Sequence, residues 1–442
     1  MTKILHVPYT YAPDPMGGTE YYVRSLAEHL QHCGFSSTIA APGSKNSSGL
    51  QGGLEVYRFA GSQSPDAAAE GVPDLNAASA FQQILAKTSP SIVHLHARSA
   101  AVSGLLLDAA RASGARTVVT YHTPTLSCLR GTMLLNGSTQ CDGVLDARRC
   151  AACVLRRHGV IDPLPAALAR LPARLGVSLQ ALGLEYGPWR ALRMRQIVSQ
   201  HIARTQRFLS LADLVVAPCQ WVADLLLANG LSQEKLRLCR QGLAHPLPSN
   251  EPSRKSQGPT LALGFFGRID PTKGIEVLLR ALRCIPTAPL ELNIYGVSQE
   301  GSDSYSLQLQ TMAREDKRIR VLPSLSSDQV LATMAGLDLV VVPSLWLETG
   351  PLVVLEAFAA GVPVLGSNRG GIAELVQSGI NGQLLPTGDH KIWSETLSSL
   401  AANPQIVKHW RAAVKSPRTM RTVAEEMAVS YADLLKSSNI QQ

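Results

Sequence analysis

The sequence predicts two doubly wound α/β domains of comparable size. Three observations lead there. Short apolar runs alternate with longer segments of helical periodicity. The alternation stops at a polar stretch and then starts again. Several of the short runs are apolar throughout, as strands buried on both faces of a parallel sheet are.

The first domain covers residues 1–245. "KILHVPY" is a strand, and "GGTEYYVRSLAEHLQHCG" is a helix with Tyr22, Val23, Leu26, Ala27 and Leu30 at helical spacing and Gly34 as its stop. "SSTIAAP", "LEVYRFA", "SIVHLHA", "ARTVVTYHT" and "ADLVVAPC" are further strands. Residues 246–260, "PLPSNEPSRKSQGPT", are rich in Pro and Ser and read as a linker. The second domain, residues 261–418, repeats the pattern with "LALGFFGR", "LELNIYG", "RIRVLPS", "LDLVVVPS" and "GVPVLGS". Residues 419–442 form a last helix expected to return to the first domain. Ligands of such sheets sit beyond the carboxyl ends of the strands, so two facing domains are expected to enclose a cleft.

The totals bound the class. A chain of 442 residues, 45% hydrophobic and 17% charged, can build a core in both halves and is not disordered. It has no apolar run long enough to cross a membrane. "MTKILHVPYTYAPDP" has too short an apolar run for a signal peptide, so a cytoplasmic place is expected. In that reducing compartment the eight cysteines do not form a disulfide framework.

Two segments hold the chemistry of the second domain. In "GFFGRIDPTKGIEVLLRAL", Arg268 and Lys273 lie above a strand end and beside a helix start, a place suited to a diphosphate. In "PSLWLETGPLVVLEAFAAGVPVLGSNRGG", Pro351 opens a helix running to Ala360 and stopped by Gly361. Glu348 precedes that helix and Glu356 lies on its second turn. An ionised carboxylate offers two acceptor oxygens, which suits sugar hydroxyls at Glu348 and a ribose diol at Glu356. The plainer alternative has Glu348 capping the helix.

With "PDPMGGTEYYVRSLAEHLQHCGF" these segments carry a resemblance that runs from Lys3 to about Asp389. The chain resembles the retaining glycosyltransferases of family four, which have the GT-B fold, and within them a subset with a Cys-rich insert in the first domain. The resemblance implies a nucleotide-diphosphate sugar donor, UDP- or GDP-linked, and roles by position. Glu348 would contact the donor sugar and Glu356 the ribose. Arg268 and Lys273 would bind the diphosphate. Gly17 and Gly18 match the family's glycine loop, and Glu20 the acid just after it, on the acceptor side. His122 matches the histidine that contacts the transferred sugar. His96, at the end of "SIVHLH", is placed on the acceptor side. Asn381 and Gly382 match a turn late in the second domain. The chain departs from the family pattern at Pro351, where Gly is frequent, and at Thr123, where Asp is common. Pro has no N–H, so backbone contact with phosphate falls to Leu352 and Val353. No carboxylate is placed as a nucleophile. Retention then implies front-face attack, with the leaving phosphate taking the acceptor's proton and the two cations replacing a catalytic metal.

Residues 124–207 form an insert. "CLRGTMLLNGSTQCDGVLDARRCAAC" places Cys128, Cys141, Cys150 and Cys153 within 26 residues. Its spacing favours a closed structural zinc site, with an iron–sulfur cluster or free thiols as alternatives. Eleven arginines lie between Arg148 and Arg207 against Asp162 and Glu185 alone, in a chain of net charge +8. With Leu168, Leu171, Leu175, Leu179, Leu182 and Leu184, they form either a solvated face or a lid for an anionic acceptor. The acceptor expected is a saccharide or lipid-linked saccharide at the inner face of the cell membrane. A sugar-nucleotide epimerase of the same fold is the first alternative. A zinc-containing nucleic-acid binder ranks below it, because few aromatics interleave the arginines.

Overall fold

The computed structural model describes residues 1–14, 17–61, 72–243, 260–297 and 303–436. Of the expected linker, only Thr260 is among them. The chain divides into two compact units, Met1–Arg240 with Met420–Gln442, and Gln241–Thr419.

The first unit holds β1 (Thr2–Val7), β2 (Phe35–Gly43), β3 (Ser47–Gln51), β4 (Leu54–Ala60), β5 (Ile92–Leu95), β6 (Arg116–Thr120), β7 (Leu134–Leu135), β8 (Thr139–Gln140), β9 (Leu214–Ala217) and β10 (Leu236–Leu238). Its helices are α1 (Gly18–Leu30), α2 (Leu75–Thr88), α3 (Gly104–Ala112), α4 (Ala147–Arg157), α5 (Leu164–Leu168), α6 (Ala173–Ala181), α7 (Pro188–Leu211) and α8 (Gln220–Ala228). The sheet order is β10-β9-β6-β5-β1-β2-β4-β3, parallel except at the β3–β4 hairpin. β5 is buried throughout and β6 from Thr117 to Thr120, as their apolar runs require. β3 has no such signal, since all five residues of "SSGLQ" are exposed.

The second unit holds β11 (Leu261–Arg268), β12 (Leu290–Val297), β13 (Ile319–Leu322), β14 (Leu339–Val342), β15 (Val364–Ser367) and β16 (Gly382–Leu385). They form one sheet in the order β13-β12-β11-β14-β15-β16, parallel throughout. Around it lie α9 (Ile275–Cys284), α10 (Asp303–Arg314), α11 (Ser327–Ala335), α12 (Leu352–Ala359), α13 (Gly370–Leu375), α14 (His390–Ala402) and α15 (Pro404–Ala413). One core runs from Leu263 and Leu292 through Leu278 and Leu282 to Trp393, all fully buried. The order reverses beside β11, where β14 and β12 flank it, and ligands of doubly wound sheets sit at such a point.

Two boundaries are set by pairing. The Leu243 N–H donates to Arg418 O at 2.8 Å, which ties residues 241–243 to the second unit. The last helix, α16 (Met420–Lys436), belongs to the first unit, where Tyr431 is buried and its hydroxyl meets His94 Nδ1 at 2.7 Å. No helix among the described residues is long and apolar enough to cross a membrane.

Candidate active site

β11 delivers Arg268 at its end, and a short turn, Pro271–Lys273, follows. Asp270 caps that turn by accepting the Thr272 N–H at 2.8 Å. Gly274 comes next with φ +73°, and a Cβ there would lie 2.1 Å from Pro343 O. Only glycine lets the turn come so near the loop after β14. The Leu345 N–H donates to Thr272 O at 2.7 Å across the same approach.

That approach brings Lys273 to Glu348. Lys273 Nζ, Ser344 Oγ and Trp346 Nε1 each donate to Glu348 Oε1 at 2.7 Å. Glu348 is 9% exposed. Burial pushes its carboxyl up. The Lys273 charge and the three hydrogen bonds outweigh burial and hold the carboxyl below its ordinary value. Glu348 is therefore an ionised, oriented acceptor. It is not a helix cap, since Pro351 occupies the N-cap of α12 and no side chain caps that end. The glycine turn that follows β15 locks the backbone beneath it. The Gly371 N–H donates to Glu348 O at 2.7 Å, and a Cβ on Gly370 would lie 2.9 Å from Glu348 N.

Trp346 completes this group, although sequence reasoning passed over it. Its ring centroid lies 5.2 Å from Lys273 Nζ and 5.9 Å from the Arg268 guanidinium carbon, so one aromatic surface organises both cations. An indole two residues before the key acid was the available signal.

α12 starts at Leu352, and the Val354 N–H donates to Pro351 O at 3.0 Å. The amides of Leu352 and Val353 are first-turn donors, the kind that bind anions at helix starts. Glu356 is half-buried on the second turn. Asn381 folds back on its own loop, where Oδ1 accepts the Gln377 N–H at 2.7 Å.

In the first unit, Gly17 caps α1, and its N–H donates to Glu20 Oε2 at 2.9 Å. Glu20 is buried with its carboxylate turned into its own loop, and burial raises its carboxyl against the backbone bonds from Gly17, Glu20 and Thr10. Gly18 opens the helix. β5 and β6 end side by side and bring two predicted residues together: His96 Nδ1 and His122 Nε2 are 3.1 Å apart. Both rings are buried, and Tyr22 of α1 meets His122 edge-on at 4.7 Å. His96 Nε2 is 3.1 Å from His6 Nδ1, so both His96 nitrogens are spent on other histidines.

The cysteines of the insert share one cavity of about 40 Å³, lined by Cys128, Cys141, Cys150 and Cys153. Cys150 and Cys153 lie three apart on α4, hence on one face. Cys141 Sγ accepts the Gly143 N–H at 3.4 Å, and Cys153 Sγ accepts the Asn136 N–H at 3.2 Å. Burial pushes the Cys150 thiol up to about 11 and raises Cys141 as well. The closed four-thiolate site expected from the spacing is not pre-assembled. Among the described residues, three or more candidate ligand atoms gather within 4.8 Å only at His6, His94 and His96. Those rings bond each other, Thr120 and Tyr431, as neutral imidazoles do.

The arginine segment is not one basic face. Arg193 is 1% exposed and paired with Glu185 at 3.1 Å. Arg149, Arg156 and Arg207 pair with Asp142, Asp162 and Asp108, and two of those acids lie outside the segment. Arg170 and Arg174 are exposed, as are Ile161, Leu164, Leu182 and Trp189.

Residues 16–243 match Glycosyltransferase Family 4, and residues 249–416 match Glycosyl transferases group 1. The chain belongs to glycosyltransferase family 4. The two matched segments of this family 4 chain include every site residue expected from the sequence, from Gly17 to Gly382. A D-inositol 3-phosphate glycosyltransferase of Mycobacterium sp. (strain KMS) is 32% identical over 172 residues, 38% of this chain and 36% of that protein. The chain thus spans little more than a third of the length of the first curated relatives it matches. Among solved structures, sucrose-phosphate synthase from Thermosynechococcus elongatus aligns with TM-score 0.67 at 19% identity, covering 99% of this chain and 100% of that one. Anabaena Alr3699/HepE in complex with UDP and glucose aligns with TM-score 0.62 at 17% identity, covering 98% and 100%. Family 4 membership and the two-domain α/β fold therefore agree.

Proposed function

We propose that this chain is a retaining glycosyltransferase that moves a sugar from a UDP- or GDP-sugar to a saccharide or lipid-linked saccharide. One observation carries the reading. Glu348 is held ionised by Lys273, Ser344 and Trp346 through a single oxygen, with Arg268 against the same Trp346 ring, at the carboxyl ends of β11 and β14. In the reaction the bond from the anomeric carbon to the diphosphate oxygen breaks, and a bond to the acceptor oxygen forms on the same face. The acceptor's proton passes to the leaving phosphate. Negative charge grows on the diphosphate, where Arg268, Lys273 and the amides of Leu352 and Val353 stabilise it. Glu348 accepts from donor-sugar hydroxyls, Glu356 from the ribose diol, and His122 contacts the transferred sugar. Two fixed cations supply the charge that a divalent ion would otherwise bring. The epimerase alternative has less support, because both matched families are transferase families.

The same reading gives the insert a structural zinc. A cation converts thiols that burial keeps protonated into thiolate ligands, and N–H donors to Sγ favour the thiolate. The exposed apolar and basic residues of α5, α6 and α7 support contact with an anionic membrane carrying the acceptor. Thermal shift with a panel of nucleotide sugars, followed by turnover of Glu348→Gln and Lys273→Ala with the donor so found, tests the donor site. Each variant should lose at least about tenfold in kcat. Near-normal turnover in both overturns the assignment.

A further inference from the structure

Beneath His122 lies a chain of rings that the transfer chemistry does not use. Ser37 Oγ is 3.4 Å from His6 Nε2, His6 Nδ1 is 3.1 Å from His96 Nε2, and His96 Nδ1 is 3.1 Å from His122 Nε2. The residues come from four neighbouring strands. Ser37 lies on β2, His6 on β1, and His96 and His122 just past β5 and β6. All four are buried. Burial lowers the His6 and His122 imidazoles to about 3 and holds His96 well below its ordinary value. Each ring therefore stays neutral across the physiological range, with one N–H and one lone pair.

Neutral imidazoles in series cannot choose tautomers independently. A donor must face an acceptor at each contact, since two facing N–H groups repel and two facing lone pairs leave a buried acceptor unsatisfied. Two arrangements satisfy both ring contacts. In the first, the proton sits on Nδ1 of all three rings, Ser37 donates to His6, and His122 presents an Nδ1–H donor. In the second, it sits on Nε2 of all three, Ser37 accepts, and His122 Nδ1 is an acceptor. Inverting the set moves one proton across each of the two ring contacts, takes one onto His6 Nε2 and releases one from His122 Nδ1.

We infer that Ser37, His6 and His96 form a positioning chain that sets, through shared tautomers, whether His122 Nδ1 donates or accepts a hydrogen bond. This rests on the reading of His122 as the group that meets the transferred sugar, and it adds three residues that touch no substrate. It also gives His96 a role that fits its burial better than acceptor contact does. Contact with a sugar hydroxyl is sensitive to this choice, because an Nδ1–H can only donate to the hydroxyl oxygen, whereas a bare Nδ1 can only accept the hydroxyl proton. His94 stands apart from the chain, since Tyr431 and Thr120 hold its two nitrogens at 2.7 Å.

The test is ¹⁵N NMR of histidine-labelled full-length protein, which reads the tautomer of each ring without substrate. His6, His96 and His122 should share one tautomer and remain neutral between about pH 6 and pH 8. His6→Phe should change or mix the tautomer at His96 and His122 and lower kcat at least about tenfold, with donor KM changed far less. His6→Asn, whose amide can reach toward His96 as donor or acceptor, should recover part of kcat. If His6→Phe does not fold, Ser37→Ala carries the test, with a shifted tautomer balance at His122 expected. Different tautomers on the three wild-type rings overturn the inference. So does a His122 tautomer unchanged in a folded His6→Phe protein or, where that fails to fold, in Ser37→Ala. Shared tautomers without turnover from any nucleotide sugar would instead refute the transferase reading and leave the chain of rings standing.

Discussion

Glu348→Gln isolates the charge at the donor site with little change of shape. Glutamine keeps an oxygen for Lys273, Ser344 and Trp346, so the loss is the ionic part of three hydrogen bonds to one atom. Hydrogen bonds to charged groups contribute about 1.5–3 kcal/mol, against roughly 1 for neutral ones. The Glu348 and Lys273 side chains are 11% and 19% exposed, so solvent screens the pair little. A loss of about 2 kcal/mol follows. For a unit that runs from Gln241 to Thr419, the loss lowers Tm by about 4–8 °C. The pH dependence has a definite sign. The folded carboxyl lies below its free value of about 4.5, so its stabilisation is present above that pH and is lost as pH falls through the folded value. The Tm gap between wild type and Glu348→Gln should be full at pH 7 and shrink on acidification below about 4.5. Scanning calorimetry at the two extremes measures it. An equal gap at both would refute charge as the source, whatever the turnover.

Three further outcomes are expected. Protein purified without chelator should carry about one zinc per chain by elemental analysis, and Cys150→Ser with Cys153→Ser should remove it. Iron with visible absorption would point to a cluster instead. Gly274→Ala should cost at least about 1–3 kcal/mol in unfolding, because φ is positive and the added Cβ meets Pro343 O. The full chain should co-sediment with anionic vesicles at low salt and less at high salt, since each basic residue near a leaflet adds about 1 kcal/mol. Arg170→Gln with Arg174→Gln is the informative variant, because Arg193 is buried in its pair with Glu185.

Strands such as "LDLVVVPS" and "SIVHLHA" could be read directly, because burial on both faces leaves an apolar run with no competing pattern. The acid pair, the Arg–Lys turn and the family resemblance were legible for a related reason: each depends on local spacing. β3 could not be read, since its five exposed residues are held by pairing with β4 and not by their own composition. The partners of Glu348 were equally hidden. Lys273 lies 75 residues away and meets it only because Gly274 lets two loops touch. The arginine segment misled for the opposite reason. A linear count records charge, whereas Asp142 and Asp108 neutralise Arg149 and Arg207 from outside the stretch. His6, His96 and His122 look like three isolated histidines along the chain. Parallel strand order places them in line, and burial of neutral rings with one proton each is what couples them.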